Sequence, residues 1–518
     1  MHCPAISVQQ ILPHAILHFN ISLYNMGRHE LCKEGKRPPR RTMRKTMLKF
    51  LEEMEMESAM EAVSVTTLPL VFAVLVVSSL SFNFGYNISV MNSSEPYAFP
   101  GHTTSMWSLA VAAFCVGGPF GAVLAGKWAD KLGRKKTASL TAWFYVVGGL
   151  AQTFAPTLSV VIVARTIVGL GCGMSTVLVP IYLGELAPPR FRGAIGTMAQ
   201  FSFVFGILFA DVVAFRLANE TQWRYMFLLI SALGVFHLLL NTFLLESPRW
   251  LLGRDPSSDD ARVIIRKLRG FENDGQVETE VRQYAGAPRK ISRMSITIDD
   301  ITETTPTAEL FADKRVRLQL VSSLVLQVAS QLSGINAVFY YSGLFFDGVI
   351  DNPLVGTTIL GIINVLATFV ALLLMDRVGR RTLIMYSSAG MFISCVVVVL
   401  ALKGYFDKMV ALAAVATYVT FYELGLGPIP VFIVSEMFDG KYAATAMSVS
   451  AQLNWVCNFF VGLLFPYINK SLGPYSFGPF AVSLLLTFLY AWIWLPETQG
   501  TTPSELQAKL AKKNAGIK

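Results

Sequence analysis

One short hydrophilic stretch between two apolar segments decides the fold: Asp130-Lys131-Leu132-Gly133-Arg134-Lys135. The pattern returns 246 residues later as Asp376-Arg377-Val378-Gly379-Arg380-Arg381, and its glycine is expected to permit a tight reversal. Two more pairs recur at nearly the same offset: Gly85-Tyr86-Asn87 with Gly334-Ile335-Asn336, and Glu246 with Glu497. Three recurrences in register indicate a duplicated unit of roughly half the chain.

The composition around these repeats is that of a membrane protein. Hydrophobic residues make up 53% of the 518 residues, and mean hydropathy is +0.50. Charged residues make up only 15%, against about 25% in soluble domains, which argues against a soluble enzyme. The apolar residues cluster in stretches of about 20, long enough for a membrane-spanning helix and too long for a barrel strand.

We predict an all-α membrane protein with twelve membrane-spanning helices in two groups of six. These spans 1 to 12 lie at 68–91, 106–126, 137–156, 159–182, 193–215, 225–245, 318–343, 354–375, 382–402, 410–435, 445–468 and 478–495. Spans 3 and 4 form one long apolar stretch that is interrupted at Pro156.

The predicted organisation has five parts. They are a cytoplasmic tail (1–67), a six-helix bundle (68–246), a cytoplasmic loop (247–317), a second bundle (318–495) and a cytoplasmic tail (496–518). Within the loop, 259–269 has the pattern of a short amphipathic helix, with Val263, Ile264 and Leu268 on one side and Arg269 among the residues facing water.

The distribution of basic residues gives the orientation. With the N-terminus in the cytoplasm, cytoplasmic segments hold 37 Lys and Arg residues and outer loops hold 5, as the positive-inside rule requires. The net charge of +9 is thereby explained without a nucleic-acid partner. The six cysteines are scattered without metal-ligand spacing, so we predict no metal site and no cofactor.

A series of motifs resembles the sugar porters of the major facilitator superfamily, and most of all the facilitative glucose transporters. Besides the segments above, they are Pro180-x-Tyr182-x-Gly184-Glu185, Arg192-Gly193, Glu246-Ser247-Pro248-Arg249-Trp250, Gln331 to Tyr341, Gly427-Pro428-Ile429-Pro430 and Pro496-Glu497-Thr498. The resemblance implies the 6+6 pseudo-symmetric major facilitator fold, and a monomeric carrier in the plasma membrane. It also implies alternating access for a small hexose, with D-glucose favoured, and no enzyme activity.

Polar side chains inside the apolar spans are the candidate binding residues, because they are costly in a membrane and usually face a cavity. The candidates are Gln200, Gln327, Ser330, Gln331, Asn336, Asn364, Glu423, Asn454, Trp455 and Asn458. Amides both donate and accept hydrogen bonds, as sugar hydroxyls do. The resemblance implies that Gln200, Gln331, Asn336, Asn364 and Asn458 hold the sugar and that Trp455 packs beside it. The alternative is hydrogen bonding between helices.

Two spans are expected to bend. On an ideal helix, the side chains of Gln331 and Asn336 point about 140° apart around the helix axis. They can face one cavity only if span 7 breaks between them, and we expect the break at Gly334. Gly and Pro residues should also bend span 10. The predicted gating residues are Tyr340, Tyr341, Gly427, Pro428 and Pro430.

Charged residues at the cytoplasmic ends of the spans are predicted to lock the two halves together when the carrier opens outward. They are Asp130, Arg134, Glu185, Arg192, Asp376, Arg380, Arg381 and Glu436.

The sequence leaves alternatives open for the preferred substrate and for the coupling of transport to protons. Ser330 and Val431 replace a glutamine and a tryptophan that are usual in glucose carriers, which leaves open a preference for fructose or a broader hexose range. Asn87 stands where proton-coupled relatives have an aspartate that pairs with the arginine at Arg165, which favours uniport. A proton symporter using Asp211 is the alternative, unless that acid is paired near the outer end with Arg216 or Arg165. A nontransporting sugar sensor is a further alternative.

Overall fold

A computed structural model describes residues 66–286, 306–346, 350–375, 377–438 and 442–515. Most of these residues are α-helical, and none of them forms a β-strand. The predicted lock residue Asp376 and most of the predicted N-terminal tail lie outside the described residues.

The first half contains the six predicted spans as helices. Spans 1 to 6 are Leu68–Ser94, Thr104–Leu132, Arg134–Thr153, Leu158–Leu186, Arg192–Leu217 and Trp223–Asn241. Non-helical residues 154–157 separate spans 3 and 4, so the predicted interruption at Pro156 is confirmed. Proline has no backbone N–H and its ring crowds the preceding turn, which is why the helix does not continue there.

The second half repeats this order with two broken helices. Span 7 is Arg317–Leu332 followed by Ile335–Phe346, and span 8 is Pro353–Met375. Span 9 is Arg380–Leu402, and span 10 is Lys408–Leu424 followed by Ile429–Met437. Spans 11 and 12 are Ala443–Leu472 and Gly478–Ile493.

Among the described residues, ten helices are long and apolar enough to cross a membrane. The other two predicted spans fall short of that measure for visible reasons. Span 3 starts with Arg134, Lys135 and Lys136, and the helix of span 12 has only 16 residues. Both nevertheless pack as members of their bundles, span 3 against spans 4 and 6 and span 12 against spans 7 and 9.

Helix packing follows the sequence repeat. In the first half, span 1 packs on span 5, span 2 on span 4 and span 3 on span 6. The second half has the matching pairs 7 with 11, 8 with 10 and 9 with 12. The halves meet through span 1 with span 7, span 2 with span 11 and span 5 with span 8. These pairs exchange under the repeat, so the predicted 6+6 pseudo-symmetry is confirmed.

The repeated glycine and glutamate cap helices in both halves. Glu246 accepts the first main-chain N–H of span 3 at 2.8 Å, and Glu497 accepts the first N–H of span 9 at 2.8 Å. A Cβ at Gly133 or Gly379 would lie 2.4 or 2.2 Å from the capping carboxylate oxygen. Of these two glycines, only Gly133 has a positive φ (+95°). Both positions therefore require glycine because the glutamate approaches closely, and not because the chain makes a tight reversal.

Short helices lie between the halves and at the C-terminus. They are Pro248–Arg254, Asp259–Arg269, Asp274–Gly286, Pro306–Ala312 and Pro503–Ala515. One end of the bundle carries the helix Pro248–Arg254 and the loop between spans 2 and 3, and we call it the basic end. Trp250 Nε1 donates there to the main-chain oxygen of Asp130 at 2.9 Å, beside the loop between spans 2 and 3.

The predicted amphipathic helix Asp259–Arg269 is confirmed, but two details of its faces are wrong. Val263 is 47% exposed. Arg269, expected in water, is buried and paired with Glu280 at 2.8 Å. Its Nη1 also donates to the main-chain oxygen of Leu186 at 2.7 Å, which joins this helix to the end of span 4. Periodicity alone gives no sign of a buried ion pair.

Candidate functional site

A cavity of about 320 Å³ lies between the two halves and is lined by both. Nine of the ten candidate binding residues line it: Gln200, Gln327, Gln331, Asn336, Asn364, Glu423, Asn454, Trp455 and Asn458. Gln200 comes from the first half and the other eight come from the second half. The tenth, Ser330, is buried behind the wall, where its hydroxyl lies 3.1 Å from the Tyr422 hydroxyl.

Four amides of the cavity form one directed chain of hydrogen bonds, which we call the amide relay. Asn336 Nδ2 donates to Gln331 Oε1 at 2.6 Å. Gln331 Nε2 donates to Asn454 Oδ1 at 3.1 Å, and Asn454 Nδ2 donates to Gln327 Oε1 at 2.8 Å. Gln327 Nε2 ends the chain on the main-chain oxygen of Pro430 at 2.9 Å. The amides are thereby held in fixed orientations along the wall.

The relay depends on the break in span 7. Gly334 has φ +89°, and the helix stops at Leu332 and restarts at Ile335. The break brings Asn336 back to the side of Gln331, so the predicted break at Gly334 is confirmed. A Cβ at Gly334 would lie 2.5 Å from the Phe480 ring, so the position is also closed to a side chain by packing.

Span 10 is interrupted where the cavity meets it. The helix ends at Leu424 and restarts at Ile429, which confirms the predicted bend. The main-chain oxygen of Tyr422 accepts hydrogen bonds from the N–H groups of Gly425 and Gly427, at 3.2 and 2.9 Å. We call residues 425–428 the hinge segment. Gly427 lines the cavity, and Pro430 lies two residues after the end of the segment.

Aromatic rings supply the apolar part of the wall. Trp455 lies with its ring centroid 6.0 Å from the rings of Phe84 in span 1 and Phe114 in span 2. It therefore bridges the halves beside the amides. Flat apolar rings next to amides are the combination that suits a ligand with hydroxyl groups and apolar faces.

Two cavity amides keep hydrogen-bonding capacity for a ligand. Asn364 Oδ1 is buried and accepts no hydrogen bond in the described structure. Asn458 accepts from the Tyr340 hydroxyl at 2.9 Å through Oδ1, and this bond leaves its N–H groups for other partners. A buried polar atom without a partner is costly, so a ligand hydroxyl at Asn364 would be favourable.

The cavity is closed at the end opposite the basic end. There Asn92 Nδ2 of span 1 donates to the Ser342 hydroxyl of span 7 at 2.7 Å, and Asn92 Oδ1 accepts from Gly343 N at 3.0 Å. The predicted gating residues Tyr340 and Tyr341 are fully buried near this closure. The Tyr341 hydroxyl donates to the main-chain oxygen of Gly462 in span 11 at 2.6 Å.

Toward the basic end the cavity continues between the halves. Its lining there includes Val431, which is 54% exposed, and Ala444 and Met447 from the first turns of span 11. The structure is therefore a conformation that is sealed at one end and open toward the basic end.

Five of the predicted lock residues form two clusters, each within one half. Arg134 binds Glu185 through two N–H···O bonds of 2.7 and 2.8 Å and reaches Asp130 at 3.3 Å. In the second half, Arg380 binds Glu436 at 2.9 Å. These pairs join helices inside a half, so they do not lock the halves together in this conformation.

Two other lock residues have different surroundings. Arg381 donates to the main-chain oxygen of Ala491 at 3.0 Å, so it holds span 9 to span 12. Arg192 is exposed at the start of span 5 and belongs to none of the ion pairs found among the described residues. Their role in an outward-open conformation remains a prediction.

The candidate groups for proton coupling are separated from each other. Arg165 is fully buried and donates to three main-chain oxygens, those of Ala110, Asn87 and Val111, at 3.1 to 3.3 Å. The Asn87 side chain is not among its partners and instead donates to the main-chain oxygen of Asn83 at 2.8 Å.

Asp211 is where the expectation from sequence is wrong. The alternative in which this acid pairs with Arg216 or Arg165 near the outer end is contradicted. Asp211 is instead 1% exposed, accepts a hydrogen bond from Ser89, and has no partner at Oδ2 among the described residues. A Cβ at Gly361 of span 8 would lie 3.1 Å from that oxygen, so the carboxyl group faces the contact between spans 5 and 8.

Four polar residues of the cavity wall were not predicted from the sequence: Thr176, Tyr422, Ser448 and Gln452. Gln452 Nε2 also donates across the halves to the main-chain oxygen of Pro119 at 3.4 Å. The spacing of Gln452 two residues before Asn454 gave a weak signal, since it lies within the same polar stretch of span 11. No sequence signal singled out Tyr422, because aromatic residues are frequent in all spans.

Comparisons with known proteins agree with this architecture. Residues 71–510 match the family model described as "Sugar (and other) transporter". The chain is 36% identical over 459 residues to the rabbit (Oryctolagus cuniculus) "Solute carrier family 2, facilitated glucose transporter member 3", covering 84% of this chain and 90% of the relative. It is 36% identical over 460 residues to the human protein of the same name, with the same coverage.

Solved structures resemble the fold. The inward-open conformation of the xylose transporter XylE from E. coli matches with a TM-score of 0.71 at 24% identity, covering 85% of this chain and 99% of that one. A crystal structure of a D-xylose-proton symporter matches with a TM-score of 0.66 at 23% identity, covering 83% and 99%. At these identities the likeness concerns the fold alone.

Proposed function

The chain belongs to the Sugar (and other) transporter family, and we propose that it carries a hexose, D-glucose, across the membrane by facilitated diffusion. The observation that carries the proposal is the amide-rich cavity between two pseudo-symmetric halves, sealed at one end and open at the other. Relatives at 36% identity that are named facilitated glucose transporters support both the substrate and the uniport mechanism.

Sugar recognition is assigned to both faces of the cavity wall. Asn364 and Asn458 offer free hydrogen-bonding capacity, and Gln200 approaches from the first half. Trp455 supplies a flat apolar surface beside them. Since every sugar hydroxyl both donates and accepts, a wall of amides satisfies it without a charged group.

The carrier works by alternating access between its halves. The basic end is the cytoplasmic end, both termini are cytoplasmic, and the five-part organisation from 1–67 to 496–518 applies. The conformation described here is then inward-facing, with the outer end closed by Asn92, Ser342 and the buried Tyr340 and Tyr341. In the outward-facing conformation, the charged groups at the cytoplasmic end come together. The site of action is the plasma membrane, and one chain is the transport unit.

The test is uptake of labelled D-glucose by the purified protein in liposomes, with fructose, galactose and mannose as competitors. Gln331→Leu should lower the ratio kcat/KM about tenfold, the effect of losing one or two hydrogen bonds. Gln152→Leu is the matched control, because Gln152 is a buried amide of span 3 that does not line the cavity. Absence of hexose uptake, or equal loss in both variants, would contradict the proposal.

One observation favours fructose as a second candidate substrate. Val431 lines the cavity and is half exposed, so no ring covers the sugar at that place. Stronger competition by fructose than by unlabelled glucose in the same assay would reassign the preferred hexose. Val431→Trp should then shift the preference back toward glucose.

A further inference from the structure

The amide relay connects the cavity to the hinge segment of span 10. It starts at Asn336, just after the break in span 7, and crosses to span 11 at Asn454. It returns to span 7 at Gln327 and ends on the main-chain oxygen of Pro430, two residues after the end of the hinge segment. Every bond in the relay points the same way, so a change at one amide alters the orientation required of the next.

The relay amides use one another in the absence of a ligand. Gln331 and Asn454 each donate one bond and accept one bond within the relay. A ligand hydroxyl that binds these side chains must share or replace those bonds. Ligand binding therefore competes with the contacts that orient Gln327 against Pro430.

We propose that Gln327 is a positioning residue that holds the hinge segment through Pro430, and that sugar releases this hold by competing for the relay amides. The inference rests on the proposed function, since it concerns how a bound hexose changes the mobility of span 10. The empty carrier keeps the tie between spans 7 and 10, and the loaded carrier loses it. Reorientation of the loaded carrier is therefore faster than reorientation of the empty one.

A second tie between the same two spans provides the control. Ser330 Oγ lies 3.1 Å from the Tyr422 hydroxyl, and Tyr422 is three residues before the hinge segment. Ser330 is 3% exposed, does not line the cavity and is not a member of the relay. Sugar cannot reach this side chain, so loss of its hydrogen bond should affect the empty and loaded carriers equally.

The experiment measures two maximal rates in liposomes at saturating labelled D-glucose. One is zero-trans flux, which requires the empty carrier to return, and the other is equilibrium exchange, which uses only the loaded carrier. The ratio of exchange to zero-trans flux should exceed one in the natural protein. Gln327→Met should lower that ratio about two- to tenfold, the factor that one hydrogen bond provides, by raising the zero-trans rate.

Two further variants separate the relay from general loosening. Asn454→Leu removes the bond that orients Gln327 against Pro430, as sugar is proposed to do, so it should lower the ratio by raising the zero-trans rate. Ser330→Ala should change both rates by the same factor and leave the ratio unaltered. If Gln327→Met and Asn454→Leu transport glucose with the natural ratio, or if Ser330→Ala lowers the ratio as much as they do, the relay mechanism is wrong. Absence of transport in the natural protein would instead reject the proposed function.

Discussion

At the scale of single residues, Asp211 is the group that separates uniport from proton symport. Its carboxyl group is buried between spans 1, 5 and 8, with Ser89 as its hydrogen-bond donor and no cation in contact among the residues that the structure describes. Arg165, the cation that proton-coupled relatives would use, is occupied by three main-chain oxygens. A buried carboxyl group with one free oxygen is a costly feature that the fold retains.

We predict that Asp211 does not couple sugar to protons, because it does not line the sugar cavity. In proteoliposomes, the natural protein and Asp211→Asn should both bring internal glucose only to the external concentration, with or without an imposed pH gradient. The Asn variant preserves the acceptor for Ser89 and the side-chain volume. Accumulation above equilibrium that an uncoupler removes, and that Asp211→Asn lacks, would establish symport instead.

Ser330 shows what a residue-level departure means once its neighbours are known. From sequence it is a shorter side chain at a position expected to hold sugar. In the fold, its hydroxyl is turned to Tyr422, and Tyr422 takes a place in the cavity wall. Ser330 replaces the glutamine that is usual in glucose carriers, and the phenol group of its partner Tyr422 stands in the cavity wall. Neither residue considered alone could indicate this arrangement.

At the scale of elements, two interrupted helices shape the cavity. Spans 7 and 10 break at 333–334 and 425–428, and the relay runs between those breaks. The break at Gly334 was predictable, because two amides needed a common side and glycine accepts the left-handed backbone. That Phe480 packs against the same glycine was not predictable from the pattern of span 7.

Gly334→Ala should destabilise the second half and reduce transport strongly. The residue has φ +89°, which costs a side-chain-bearing residue about 1–2 kcal/mol, and its Cβ would also overlap the Phe480 ring. Thermal unfolding in detergent and glucose uptake both measure the effect.

Gly196→Ala is the control for this prediction, because Gly196 lies inside span 5 with open space around its missing Cβ. It should keep the unfolding temperature and the uptake rate of the natural protein. Equal stability of the two alanine variants would show that the break in span 7 does not require glycine.

At the scale of the whole molecule, the duplicated halves carry equivalent ion pairs in unequal surroundings. Arg134 and Glu185 are 3% and 5% exposed, whereas Arg380 and Glu436 are 17% and 25% exposed. Breaking a buried pair leaves an uncompensated charge, which costs about 3–5 kcal/mol. Partly exposed pairs contribute less, because water screens the remaining charge.

Arg134→Ala should therefore lower the stability of the protein more than Arg380→Ala does. The measurement is the free energy of unfolding, or the midpoint of thermal unfolding, in the same detergent. The double variants Arg134→Ala with Glu185→Ala and Arg380→Ala with Glu436→Ala remove both charges, and the first should recover more stability than the second. A larger loss for Arg380→Ala would contradict this assignment of burial.

The sequence by itself determined the features that the membrane imposes on each segment separately. The twelve apolar stretches, their division into two repeats and the interruptions at Pro156, Gly334 and 425–428 follow from local hydropathy and backbone chemistry. The cost of polar groups inside apolar spans likewise identified nearly all the amides of the cavity wall.

Only the tertiary structure decided which polar groups meet. The relay from Asn336 to Pro430, the Ser330–Tyr422 pair and the burial of Asp211 each depend on the rotation of one helix against another. The physical reason is that hydrophobicity acts on every residue of a segment, whereas a hydrogen bond acts only over about 3 Å. The former can therefore be read along the chain, and the latter requires the packed helices.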